Sequence, residues 1–291
     1  MGNRYHVVAD GFSRVVMAEF NDDLPVLTKE QKQSLDDSVA QQTAQARRQN
    51  TVFFDGAMVG VSAMFAHGDR LVLHPQAITY AMHRHLLRTD PHAHVQALYV
   101  NALVITSDER LVCGINDAVD AAKVDKVSLP AGNVALGPTK EPSPDAALYA
   151  ELGQELFLIP EVHYSPKDIT LGWISGMSQR NSDYHYTLSF VVPTKFSARD
   201  LHDHFHSARE AIISIEGGKT EFSNIVAVPN DRVYLAGYIE KHDRKCTAGA
   251  RAMLEGKTLD VLQEWAQRYH ADVEKLRASK TGAHVYLPQP L

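Results

Sequence analysis

The sequence predicts an α+β protein built on a mixed β-sheet. Short apolar runs rich in β-branched residues are separated by Gly- and Asp-containing turns, and they alternate irregularly with helical segments. A doubly wound parallel sheet would need strict strand–helix alternation, which this chain lacks. The 291 residues are 44% hydrophobic and 22% charged, a composition that supports a sizeable core.

The N-terminal part is predicted to combine strands with two helices. Two apolar runs flank Asp10-Gly11 and predict a hairpin; they cover Tyr5–Ala9 and Val15–Phe20. Thr28 followed three residues later by Gln31 resembles a capping box, which would open a polar helix running to about Arg48. Further strands are predicted over Thr51–Phe54, Met58–Ala66 and Leu71–His74, followed by a helix over Gln76–Leu87.

A second unit begins near Val95. A hairpin is predicted from Gln96–Thr106 and Leu111–Gly114, followed by a loop around Gly132 and a helix over Pro144–Leu156 with Ser143 as its N-cap. Three strands follow, over Ile169–Ile174, Tyr186–Val192 and Ile225–Val228, with a helix between the last two and an amphipathic helix from Thr247 to about Ala278. The predicted organisation is an N-terminal extension over 1–94, a central domain over 95–245 and a C-terminal helical tail over 246–291.

Composition argues against several classes of partner. The net charge of −6 and the lack of a Lys/Arg block argue against nucleic acid, and no apolar run reaches the length of a membrane helix. Only Cys113 and Cys246 are present, and the first 30 residues contain no signal-peptide core. We therefore expect a cytoplasmic protein without a disulfide framework. The sequence leaves monomer and homodimer open.

The helix over Pro144–Leu156 carries the most informative pattern of the chain. Glu151 and Glu155 lie one turn apart on one helix face, with Glu155 expected at an accessible position. Two carboxylates repel each other unless a cation lies between them, and Mg²⁺ is held by a few carboxylates plus water and substrate phosphate. The pattern therefore predicts a Mg²⁺–diphosphate site, at which Mn²⁺ could replace Mg²⁺. An ordinary solvated helix edge is the alternative interpretation.

The segment Ala150–Leu158, read AELGQELFL, resembles the second half of the Nudix signature. Glu151, Leu152, Glu155 and Leu158 match the signature residues. The segments Asn50–Leu87 and Glu221–Val228 resemble flanking parts of a divergent Nudix branch that hydrolyses UDP-sugars.

This resemblance implies a Nudix-like α/β/α sandwich with a mixed sheet. It would have a β-rich N-terminal extension and C-terminal helices. It also implies Mg²⁺-dependent hydrolysis of a nucleotide-derived small molecule, with a nucleotide sugar as the expected substrate. The implied catalytic residues are Glu151, Glu155 and Glu221. The implied metal-site residues are Glu151, Gln154 and Glu155, together with a backbone carbonyl at Gly132 or its neighbour Ala131.

Three departures from the signature support a second hypothesis. Ala150 replaces the usual Arg, Gln154 replaces one of the paired Glu residues, and Phe157 replaces the usual Gly. A chain with these changes could be a non-catalytic Nudix-fold protein that binds a nucleotide-derived ligand and acts through a partner. Fold alone does not separate the two hypotheses, because function depends on the site.

Three histidines, His202, His204 and His206, are closely spaced in the helix predicted before the last strand. His202 and His206 would share a helix face and could bind a transition metal. A polar helix surface with titrating imidazoles is the simpler interpretation. The sequence leaves both open.

Overall fold

The computed structural model describes residues 4–10, 14–48, 53, 55–68, 70–89, 95–117, 125–134, 141–178, 185–216, 220–231, 234 and 238. The chain forms two compact units, each assembled from separate stretches of sequence. Unit one takes its described residues from 1–101, 131–150 and 173–190, and unit two from 102–130, 151–172 and 191–291. The domain boundaries after residues 94 and 245 stay predictions.

The described elements combine four α-helices with eleven strands. The helices are α1 (Lys29–Arg48), α2 (Tyr80–Thr89), α3 (Pro144–Leu156) and α4 (Ala198–Glu216), with a 3₁₀ turn over Pro166–Asp168. The strands are β1 (Arg4–Asp10), β2 (Arg14–Met17), β3 (Ala57–His67), β4 (Arg70–Thr79), β5 (Gln96–Ile105), β6 (Arg110–Asn116), β7 (Val127–Ser128), β8 (Ala131–Asn133), β9 (Thr170–Ser178), β10 (His185–Pro193) and β11 (Phe222–Pro229). No described helix is long and apolar enough to cross a membrane.

The strand order in unit one is β1-β9-β10-β5-β3-β4-β2, with β8 paired to β5. β2 runs parallel to β4, whereas β1 runs antiparallel to β9 and β3 antiparallel to β4. Parallel and antiparallel pairs together confirm the predicted α+β class with a mixed sheet. The hairpin predicted at Asp10-Gly11 is wrong, because β1 and β2 each pair with a strand distant in sequence.

The helix predicted over Gln76–Leu87 is also wrong in its first residues. β4 continues to Thr79, which pairs with Ala57 on β3. The helix α2 then begins at Tyr80, and two side-chain oxygens accept its first N–H groups. Thr79 Oγ1 accepts from Met82 N at 3.1 Å, and Asp55 Oδ1 accepts from Ala81 N at 2.7 Å. Strand pairing therefore overrides the local helical pattern.

The core of unit one forms where α2 packs against the sheet. Five of its apolar side chains are buried: Met58, Ile78, Met82, Leu86 and Ala97. Leu27 and Leu35 pack against this cluster from α1 and the segment before it. The predicted capping box of α1 is confirmed, since Gln31 N donates to Thr28 Oγ1 at 3.2 Å and Thr28 N donates to Gln31 Oε1 at 2.9 Å.

In unit two, β6 is the strand on which pairing converges. It pairs with the end of β5, as the predicted hairpin requires, and with β7 and β11. Phe222 at the start of β11 is buried, and a Cβ added at Gly114 would lie 2.3 Å from the Phe222 ring. Glycine is therefore the residue that gives this ring its space. The predicted strand over Thr51–Phe54, Phe53 excepted, and the helix from Thr247 lie outside the described residues.

Candidate functional site

The helix α3 begins and ends where the sequence predicts. Ser143 Oγ accepts the N–H of Ala146 at 3.1 Å, which caps the N-terminus. Three leucines at four-residue spacing form a fully buried stripe, namely Leu148, Leu152 and Leu156. Each such burial contributes about 1.5–3 kcal/mol, so this stripe fixes which helix face meets the core.

Two carboxylates from different elements of unit two lie near each other. Glu151 is partly buried on α3, and Glu221 is exposed just before β11. Burial, and to a smaller extent the negative charge of Glu221, raise the pKa of the Glu151 carboxyl to about 7. Within the described residues, no group of three His, Cys, Asp or Glu side chains is arranged to hold a metal. The carboxylates brought together are therefore the pair Glu151 and Glu221.

The other predicted metal-site residues occupy different environments. Glu155 is buried, with 4% of its surface exposed, so the expectation of an accessible position is wrong. Seven residues from Leu148, Glu155 shares the buried helix face of that leucine. Gln154 is exposed, and Gly132 lies in β8 opposite Val100 of β5. The metal-binding roles of these three residues stay predictions.

Phe157 directly follows the C-terminal end of α3 and has an unusual backbone conformation. Its φ is +58°, in the left-handed region that glycine adopts most easily. The N–H of Leu158 donates to the Leu152 carbonyl at 3.0 Å, and His204 Nε2 donates to the Phe157 carbonyl at 3.0 Å. The Phe157 ring also packs on Phe205, with centroids 5.5 Å apart. These contacts stabilise a conformation that costs a non-glycine residue roughly 1–2 kcal/mol.

An ion pair in unit two fixes the segment that contains Glu221. Arg209 on α4 donates through Nη2 to Asp117 Oδ2 at 2.8 Å and through Nε to Thr220 Oγ1 at 3.0 Å. The same Nε donates to the Phe222 carbonyl at 3.2 Å. Arg209 and Asp117 are 92 residues apart and carry no local motif, so sequence reasoning missed both.

The three clustered histidines separate into two groups on α4. The rings of His202 and His206 have centroids 4.4 Å apart, and His206 Nε2 bonds to Asn224 Oδ1 at 3.0 Å. The N–H of Ile225 also donates to Asn224 Oδ1, which fixes the orientation of the Asn224 amide with its oxygen toward both groups. His206 Nε2 is therefore the donor in its bond to Asn224. His204 instead serves the C-terminal end of α3. No described third ligand joins His202 and His206, so their transition-metal role stays a prediction.

No family model and no curated protein matches the chain. Among solved structures, it is similar to the MutT protein from Methanosarcina mazei Go1, with 12% sequence identity and a TM-score of 0.33. That similarity covers 60% of this chain and 95% of the other.

Proposed function

We propose that the protein is a Mg²⁺-dependent hydrolase of a nucleoside diphosphate linked to another group, with a nucleotide sugar as the substrate class. The observation that carries the proposal is the approach of Glu221 to the partly buried Glu151 on α3. Glu155, one turn from Glu151, supplies the second carboxylate of the sequence pattern. The resemblance of the Ala150–Leu158 segment to the Nudix signature supports the same reaction class.

The donor set fits a hard divalent cation. Two neighbouring carboxylates, one of them partly desolvated, destabilise each other when both are ionised. Mg²⁺ is usually held by one or two carboxylates, with water and substrate phosphate completing its octahedron. Glu151 and Glu221 would hold the ion. When bound, it would neutralise phosphate charge and lower the pKa of a bound water.

The residues of the chain would then position and deprotonate water for attack on phosphorus. A water attacks one phosphorus in line, the bridging P–O bond breaks, and the leaving phosphate takes the electron pair of that bond. A carboxylate of the site accepts the proton of the water as the bond to phosphorus forms. The products are a nucleoside monophosphate and the phosphorylated second group.

Hydrolysis assays on purified protein test this function. Nucleotide sugars and dinucleotides are incubated with Mg²⁺ or Mn²⁺, and the products are converted to free phosphate by an added phosphatase. Glu151→Gln and Glu155→Gln should each reduce the rate by several factors of ten, every tenfold loss corresponding to about 1.4 kcal/mol of barrier. Glu210→Gln on the exposed face of α4 is the control and should retain activity. An active wild type whose Glu155→Gln variant keeps most of its rate would exclude that residue from the site.

The second candidate is a non-catalytic protein that binds a nucleotide-derived ligand. The exposed, neutral Gln154 favours it, because a site with fewer carboxylates attracts a divalent ion less strongly. The metal dependence of ligand binding separates the two candidates. A ligand bound with equal affinity in Mg²⁺ and in chelator, and left intact, would identify the binding protein.

A further inference from the structure

We propose that Arg209 is a positioning residue that holds Glu221 in place for divalent-metal binding beside Glu151. The inference rests on the proposed function and adds a residue that does not itself contact metal or substrate. Arg209 lies on α4, on a different element from either carboxylate. Its role follows from the bonds that it makes on both sides of Glu221.

The guanidinium of Arg209 bonds to both neighbours of Glu221. Its Nε donates to Thr220 Oγ1 at 3.0 Å and to the Phe222 carbonyl at 3.2 Å. Its Nη2 reaches Asp117 Oδ2 at 2.8 Å. A planar guanidinium offers several donors in fixed directions, and a lysine ammonium cannot reproduce that geometry.

The backbone of Glu221 is fixed by the same network. Asp117, the anionic partner of Arg209, donates its N–H to the Glu221 carbonyl at 2.7 Å. Thr220 Oγ1 donates to the Phe222 carbonyl at 2.9 Å, which closes the segment on itself. The main chain on either side of Glu221 therefore has little freedom, while the Glu221 side chain remains exposed.

A β-bulge directs this segment away from regular strand geometry. The register of β11 against β6 shifts between Phe222 and Asn224, and Ser223 Oγ bonds to the Ile115 carbonyl at 3.1 Å. Bulges commonly re-aim side chains next to functional sites. A bulged segment has fewer ladder bonds to hold it, so the Arg209 contacts supply the restraint that strand pairing lacks.

Removal of Arg209 should change the affinity for a divalent cation in opposite directions, depending on whether Arg209 acts through its charge or by positioning Glu221. If Arg209 acted only through its field, its removal would make the surroundings more negative and would tighten the binding of a divalent cation. If Arg209 positions Glu221, its removal releases the segment, and cation binding weakens despite the added negative charge. The direction of the change in affinity therefore separates positioning from simple electrostatics.

The experiment is a Mn²⁺ titration of the full-length protein, followed by electron paramagnetic resonance of free Mn²⁺. We expect Arg209→Gln to weaken Mn²⁺ binding about tenfold, and Arg209→Lys, which keeps the positive charge but not the fixed donor geometry, to weaken it at least as much. The control Arg199→Gln removes an exposed cation from the same helix and should change affinity less than twofold. Circular dichroism and thermal melting establish that each variant is folded.

Thr220→Val provides an independent variant in case Arg209→Gln does not fold. It keeps the shape of the buried Thr220 side chain but removes one of the two acceptors of Arg209 Nε. Weaker Mn²⁺ binding by several-fold is expected. Unchanged or tighter Mn²⁺ binding in folded Arg209→Gln, or unchanged binding in Thr220→Val if the first variant is unfolded, would overturn the positioning role.

Two further variants distinguish failure of this inference from failure of the proposed function. Glu151→Gln and Glu221→Gln are titrated with Mn²⁺ in the same way. If both lose binding while Arg209→Gln keeps it, only the role of Arg209 is overturned. If the wild type binds no Mn²⁺, or if both carboxylate variants bind it like the wild type, the metal site itself is wrong and the positioning role is overturned with it.

Discussion

The raised pKa of Glu151 predicts that the metal-free protein gains stability when this carboxylate is removed. The folded-state pKa is about 7, against an ordinary value of 4.5. Because the folded protein binds the proton more tightly than the unfolded chain, this group costs nothing below pH 4.5. Its cost develops as pH rises from 4.5 to about 7, and it is complete above that.

The magnitude follows from the size of the shift. The rise in pKa from 4.5 to about 7 corresponds to about 3 kcal/mol, since a difference of one in pKa is about 1.4 kcal/mol. Because the Glu151 side chain is only partly buried, solvent screening reduces this to about 1–2 kcal/mol. In chelator, Glu151→Gln should therefore be about 1–2 kcal/mol more stable than the wild type at pH 8 and equal to it near pH 4.5.

Urea unfolding at pH 4.5, 6 and 8, with metal removed by chelator, measures this difference. Glu210→Gln, at an exposed position of α4, is the matched control and should stay within about 0.5 kcal/mol of wild type at each pH. In excess Mg²⁺ the order should reverse, because the ion stabilises only a site with its carboxylate present. A Glu151→Gln variant no more stable than wild type at pH 8 would refute the reasoning that burial and the charge of Glu221 destabilise the ionised Glu151 carboxylate.

Three further substitutions have definite expected outcomes. Gly153→Ala should stabilise the protein by about 0.5–1 kcal/mol, since helix propensity favours alanine and the nearest atom to the new Cβ among the described residues is the Leu158 carbonyl oxygen, at 3.7 Å. Gly114→Ala should destabilise it by about 1–3 kcal/mol, because the Cβ would overlap the buried Phe222 ring. Chemical denaturation measures both, and equal effects of the two alanines would contradict the packing argument. Gln154→Glu should tighten Mg²⁺ binding and enlarge the thermal shift that Mg²⁺ produces, whereas an unchanged shift would mean that position 154 does not face the metal.

Local signals predicted the elements whose ends depend on neighbouring residues. Ser143 and Pro144 fixed the start of α3, and Thr28 with Gln31 fixed the start of α1, because capping bonds span only three residues. Pairings across the sheet were not predictable in the same way. The turn signal at Asp10-Gly11 carries no information about β4 and β9, the strands that β2 and β1 actually join.

The candidate site divides along the same line. Glu151 could be predicted as a site residue because its partner in the pattern, Glu155, is one helical turn away; that role stays a prediction. The burial of Glu155 could not be foreseen from that spacing, since it depends on how wide the buried face of α3 becomes around Leu148. The role of Arg209 could not be predicted from the sequence, because its contacts join α4 to the end of β6 and the start of β11, which lie far apart along the chain.

The helix α4 sets the spacing between the two segments that carry the candidate carboxylates Glu151 and Glu221. His204 hydrogen-bonds to the Phe157 carbonyl at the C-terminal end of α3, and Arg209 hydrogen-bonds to the residues around Glu221. His204 and Arg209 are five residues apart, which separates them by about 7.5 Å along the helix axis. A single residue inserted or deleted between positions 204 and 209 would rotate the Arg209 side chain about the helix axis by about 100° relative to His204. This stretch of α4 should therefore tolerate substitutions on its exposed face but not changes in length, although it contributes no carboxylate to the candidate Mg²⁺ site.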